Sequence, residues 1–281
     1  SVRKQLPRWL VALPIAMLLS AGLQAETVAR YGISMADIPL TTGQPDRGAG
    51  AYQFTGHTLY DPLVAWEANI GTRPGKLVPG LASSWKVDAK DNKKWLFTLR
   101  KGVKFHDGSP LTTDDAVFSI QRAMMPTSNF TPYIQGVDKV VKVNETTFDV
   151  YSKTPNPVLL NQMTELRVMS KAWAEKNKSV APKDIKTQEE NFAHRNAMGT
   201  GPYMLKEWLP DQKMVMTQNK AWWGKPDTNV TEIVYTPVKA VATRMAALLS
   251  GEVDLVLDPS PQDLPRVRSN PDLKVMDGVE N

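Results

Sequence analysis

The chain reads as a mixed α/β protein. Three features predict this. Short runs with period-two alternation of apolar residues mark paired strands. A capping box at Thr112–Asp115 opens an amphipathic helix. Near the end, a strand, a helix and a second strand follow one another within 27 residues, 232–258, the signature of a βαβ unit.

The first residues stand apart. Arg3, Lys4 and Arg8 precede the apolar run 9–19, "WLVALPIAMLL", and "SAGLQA" follows. This is the layout of a secretory signal, with cleavage expected after Ala25 and an export to the periplasm. The run is short for a bilayer span. Leu23 is large for its place before the cut, so an uncleaved anchor stays open as the alternative.

The mature part begins with an expected strand, "TVARYGIS" (27–34), and a Gly-rich surface loop over 41–52. "SSWKV" and "KWLFTLR" form an expected hairpin, with Trp95, Phe97 and Leu99 on one face. A short strand is expected at Val103–Phe105, then the turn His106-Asp107-Gly108-Ser109. The helix after Thr112 places Val117, Ile120 and Met124 on one stripe and stops at Pro126. A hairpin is expected around Asn144–Thr146. Helices are expected near 157–164, 171–177 with Ser170 as N-cap, and 187–195 with Thr187 and Glu190. Residues 199–219 suggest two strands joined at Pro210-Asp211. Strand 232–238, a helix carrying Val241, Met245, Leu248 and Leu249 with Gly251 as C-cap, and strand 253–258 complete the chain. The last two strands should be parallel.

Composition narrows the function. The net charge is +5, three units of it in the signal, and no basic cluster occurs elsewhere. A phosphate-binding face needs clustered Lys/Arg, so nucleic acid is not an expected partner. There is no cysteine, hence no disulfide, thiolate nucleophile or Cys-based metal site. His57, His106 and His194 are scattered, so no metal and no cofactor are expected. No nucleophile elbow or phosphate loop is present. His106, Asp107 and Ser109 are the best catalytic candidates, as an exported hydrolase, but adjacent side chains diverge where a base and its orienter must meet. Binding is favoured by elimination, and no catalytic residue is assigned. The loop aromatics Phe130 and Tyr133 are as consistent with a plain surface loop as with a site.

"PGLASSWKVDAKDNKKWLFTLRKGVKFHDGSPLTTDDAVFSIQRAM" resembles the extracellular solute-binding proteins, family 5, of ABC importers. "GTGPYMLKEW" (199–208) and "MAALLSGEVDLV" (245–256) match two further motifs of that family, in its order. Thr113 and Ala116 depart from its commonest pattern. The resemblance implies a periplasmic-binding-protein-like, type II venus-flytrap fold. Residues 26–57 and 191–281 would form the first lobe, and 58–190 an inserted β-rich subdomain. The second lobe would be missing, since members are much longer. The implied function is delivery of a small solute, a peptide first of all, to an ABC permease and ATPase complex, by a protein expected to be a monomer. A sensory or chaperone-like variant of the same scaffold is the further alternative. By position, the resemblance puts Met35, Phe130, Tyr133 and Arg167 near ligand, and Asp258 by the carboxyl-end rule for open α/β sheets. Arg167 could equally be a surface charge, and Asp258 a cap before Pro259. The His-Asp-Gly turn is implied to be structural.

Overall fold

The computed structural model describes residues 26–34, 56–67, 75–187, 189–257 and 259–276. The signal segment, the loop at 41–52, Met35 and Asp258 lie outside the described residues.

Strand β1 (Val28–Ile33) is followed by a ribbon of β2 (Val64–Trp66) and β3 (Leu77–Pro79). A four-stranded antiparallel sheet comes next, from β4 (Ala82–Val87), β5 (Lys94–Leu99), β6 (Val137–Lys142) and β7 (Thr147–Ser152), in the order β4-β5-β7-β6. Between β5 and β6 lie helices α1 (Thr113–Ala123) and α2 (Thr131–Ile134). Then come α3 (Leu159–Met163) and α4 (Lys171–Lys176). The chain closes with β8 (Tyr203–Leu209), β9 (Lys213–Gln218), β10 (Glu232–Pro237), α5 (Val241–Ser250), β11 (Leu255–Val256) and α6 (Leu264–Arg268). These last strands recruit β1 into a sheet ordered β11-β1-β10-β9-β8.

Alternation builds the smaller sheet. Trp95, Phe97 and Leu99 face inward on β5, and Phe148 and Val150 do so on β7. The rings of Phe97 and Phe148 stack at 5.3 Å, and neither is exposed. Ile120 and Ala123 of α1 close this core, while Phe118 on another side of the helix enters the core under β1, β9 and β10. One helix therefore serves two cores. Its buried surface is wider than the expected Val117–Ile120–Met124 stripe, and Val117 and Met124 are only partly covered. Ser119 adds a buried polar link, its hydroxyl accepting from the Met169 amide at 3.0 Å.

The capping box is formed. The Asp115 amide donates to Thr112 Oγ1 at 3.4 Å, and the Thr112 amide donates to Asp115 Oδ2 at 2.8 Å. Asp115 Oδ1 also accepts from the Lys171 amide at 2.8 Å, tying α1 to α4. Thr112→Ala is expected to cost about 1 kcal/mol in urea unfolding, because it removes the two hydroxyl bonds to Asp115 and leaves the carboxylate on the Thr112 amide.

Two expectations need correction. Val103–Phe105 is not a ladder strand, since only an isolated bridge joins Lys104 to Pro110 across the His-Asp-Gly turn. Residues 187–195 form no α-helix. The Thr187 hydroxyl donates backward to the Asp184 carbonyl at 2.8 Å, and the Asn191 amide is taken by His194 Nδ1 at 2.7 Å. The result is two 3₁₀ turns, Ile185–Thr187 and Phe192–His194. The two strands flanking α5 are parallel as expected, with β1 between them and paired in parallel with both. The hairpins at β4–β5, β6–β7 and β8–β9 form as expected. Gly251 ends α5 in the left-handed conformation at φ 77°.

Candidate functional site

The His-Asp-Gly turn does not assemble a relay. Asp107 Oδ1 accepts from the Ser109 hydroxyl at 2.6 Å and from the Ser109 amide at 2.9 Å, a local turn closure. The His106 ring instead directs Nε2 to the Gly201 carbonyl at 3.1 Å. A carbonyl only accepts, so Nε2 carries the proton and this nitrogen cannot serve as a base. Burial holds the His106 pKa below its ordinary value, against the opposing pull of the Gly201 carbonyl and Asp107.

The densest polar cluster surrounds Asp61, which sequence reasoning missed. This carboxylate is 7% exposed. Its Oδ2 accepts from Thr200 Oγ1 at 2.8 Å, Trp223 Nε1 at 2.8 Å and Trp222 Nε1 at 3.2 Å. The glycines around Thr200 make that reach possible. A Cβ on Gly201 would lie 2.5 Å from the Thr58 carbonyl oxygen, and one on Gly199 would collide with the Leu59 carbonyl. The segment before β8 can therefore lie on the backbone of residues 58–60, and the Gly201 amide donates to the Leu59 carbonyl at 3.1 Å. Arg100 caps the cluster, its guanidinium 4.3 Å from the Trp223 ring. Burial raises the Asp61 pKa, opposed by the three donors and by the charge of Arg167.

Arg167 is not a surface charge: it is 2% exposed. One terminal nitrogen donates to the Thr164 carbonyl at 2.6 Å, and the other to His57 Nδ1 at 2.8 Å. An arginine always donates, so Nδ1 must present a lone pair and His57 is neutral. Burial, then the Arg167 charge, lowers the His57 pKa from 6.5 to about 4, although one edge of the residue stays exposed. The unfolded chain therefore binds this proton first. The His57 contribution to stability is fully present above pH 6.5 and is lost as pH falls toward 4. Urea unfolding across that window should show a downward slope toward acid that is shallower in His57→Gln.

An open cleft of about 420 Å³ lies beside this cluster, lined by Trp66, Tyr133, Asn161, Gln162, Thr164 and Glu165 among others. Trp66 is 38% exposed and Tyr133 40%. Phe130 is not a loop aromatic open to solvent. It is 4% exposed, sits in the core and supports Tyr133, with ring centroids 5.8 Å apart. Of the expected contact residues, then, Tyr133 faces a cleft, Phe130 stands behind it, and Arg167 points away to His57. Met35 and Asp258 lie outside the described residues. One signal for Asp61 was present in the sequence: two adjacent tryptophans, 222 and 223, bring two indole N–H donors that need acceptors when buried.

Among the described residues no group of three or more His, Asp or Glu is placed to hold a metal ion. No helix among them is long and apolar enough to cross a membrane.

The chain matches the family described as bacterial extracellular solute-binding proteins, family 5 Middle, over residues 76–281. It is 28% identical over 291 residues to the dipeptide-binding protein of Escherichia coli K12, covering 94% of this chain and 50% of that protein. It is 29% identical over 201 residues to the periplasmic oligopeptide-binding protein OppA of the same strain, covering 68% of this chain and 37% of OppA. The chain thus spans half or less of the length of these relatives. Among solved structures, the binding protein MoaA of A. tumefaciens R10, in complex with mannopinic acid, superposes with a TM-score of 0.74 at 27% identity, over 88% of this chain and 48% of that one. The mixed α/β architecture is that of periplasmic binding proteins, and the match extends over most of the chain: it belongs to the bacterial extracellular solute-binding proteins, family 5.

Proposed function

We propose that this chain is part of a periplasmic solute-binding protein that captures a peptide or similar small solute for an ABC permease and its ATPase. The family membership carries this reading, supported by relatives named for binding dipeptides and oligopeptides. In this reading the signal segment is removed after Ala25. Residues 26–57 and 191–281 form one lobe, 58–190 an inserted subdomain, and the protein acts as a monomer. The parallel strands β1, β10 and β11 end on the same side of their sheet, which favours ligand there, next to Met35 and Asp258 in sequence. Tyr133 is the contact residue of the inserted part, with Phe130 as its support. Closure of a second lobe over such a face would trap the solute.

Isothermal titration of the protein from its complete reading frame, with di-, tri- and tetrapeptide mixtures and mannopinic acid, tests this. Saturable binding of one peptide class at micromolar Kd or tighter is the expected result. Binding of the opine alone would move the ligand class, and no binding at all would overturn the reading.

A further inference from the structure

We propose that the cleft between Trp66, Tyr133 and Glu165 takes an organic cation, an ammonium group on a flexible alkyl stem. Three other half-buried aromatic rings of the chain carry cations of its own. Arg100 lies 4.3 Å from the Trp223 ring, Lys139 4.7 Å from Tyr151 and Arg195 4.9 Å from Trp208. Trp66 and Tyr133 carry no such partner among the described residues, yet each is about two-fifths exposed and both line one cleft.

Glu165 supplies the charge. It is half-buried on the cleft wall, its Oε1 meets the Thr164 hydroxyl only at 3.4 Å, and it forms no ion pair among the described residues. Its sequence neighbour Arg167 cannot neutralise it directly, because that guanidinium is engaged by the Thr164 carbonyl and His57. A carboxylate that shares a cleft with two open aromatic rings attracts an ammonium by charge and by the ring quadrupoles together. The volume, about 420 Å³, accommodates an alkyl stem along the apolar wall with the head at Glu165. The inference rests on the peptide-binding reading only for what carries the cation, and a lysine side chain of a bound peptide would fit.

The test is an NMR titration of the tryptophan indole resonances with n-butylammonium chloride, with n-butanol and sodium chloride as controls. The Trp66 signal is assigned from Trp66→Phe. A saturable shift of Trp66 with the ammonium, absent with the alcohol and weakened at least tenfold in Glu165→Gln, is expected. Tyr133→Leu should weaken it as well, and serves if Glu165→Gln fails to fold. No saturable shift, an equal response to butanol, or an unchanged response in both variants would overturn the assignment. Because the probe is not a peptide, that failure is separate from the outcome of the peptide titrations.

Discussion

Asp61→Ala is expected to lower the free energy of unfolding by about 4 kcal/mol, read as a fall in urea midpoint at unchanged slope. The substitution leaves a buried donor on Thr200 and two part-buried indole donors, on Trp222 and Trp223, without their shared acceptor. It also removes a negative charge that acts on the buried Arg167. An unmade bond to a buried donor costs more than a made one contributes, which puts this effect above that of an ordinary surface carboxylate. Asp61→Asn keeps an acceptor oxygen in the same place and should lose only about 1–2 kcal/mol. Equal losses in the two variants would mean that the charge, not the acceptor, holds the cluster.

Gly199→Ala should cost about 3 kcal/mol or more, through backbone displacement rather than lost contacts. The new methyl would collide with the Leu59 carbonyl and come within 2.7 Å of the Tyr60 ring. The segment before β8 would have to lift, taking Thr200 out of reach of Asp61. Gly102 is the control. It has a positive φ of 77°, but a methyl there would meet nothing within 4 Å, so its alanine variant should lose only about 1 kcal/mol. The comparison separates steric contact from backbone strain. Near-UV circular dichroism adds a check, since lifting this segment should disturb Trp222 and Trp223.

Local chemistry is legible in the sequence wherever one segment carries the whole signal. Trp95, Phe97 and Leu99 alternate, and their strand forms. Thr112 and Asp115 have the spacing of a capping box, and both of its bonds are made. The Thr187–Glu190 pair has the same outward pattern and fails: the Thr187 hydroxyl turns back to the Asp184 carbonyl, and His194 takes the Asn191 amide. Long-range pairing leaves no such mark. Nothing near Val28 indicates that this strand will lie between β10 and β11. The Asp61 cluster is hidden for the same reason, as its donors are 139 to 162 positions away. Phe130 is deceptive because a break after a proline looks like loop, whereas the chain turns back and buries the ring.

The place of β1 also sets an order of events during synthesis. Its register depends on partners far down the chain, such as the Thr27 amide bond to Thr231 across 204 positions. The four-stranded sheet has all of its strands between Ala82 and Ser152 and can close early. At a synthesis rate of about 5–20 residues per second, β1 waits on the order of 10–45 s for β11 to be made. Until β10 is made it has two open hydrogen-bonding edges, and until β11 is made it has one, with an apolar end at Ile33. The nascent chain is therefore most in need of a holding chaperone at its own first strand, long after that strand has been made.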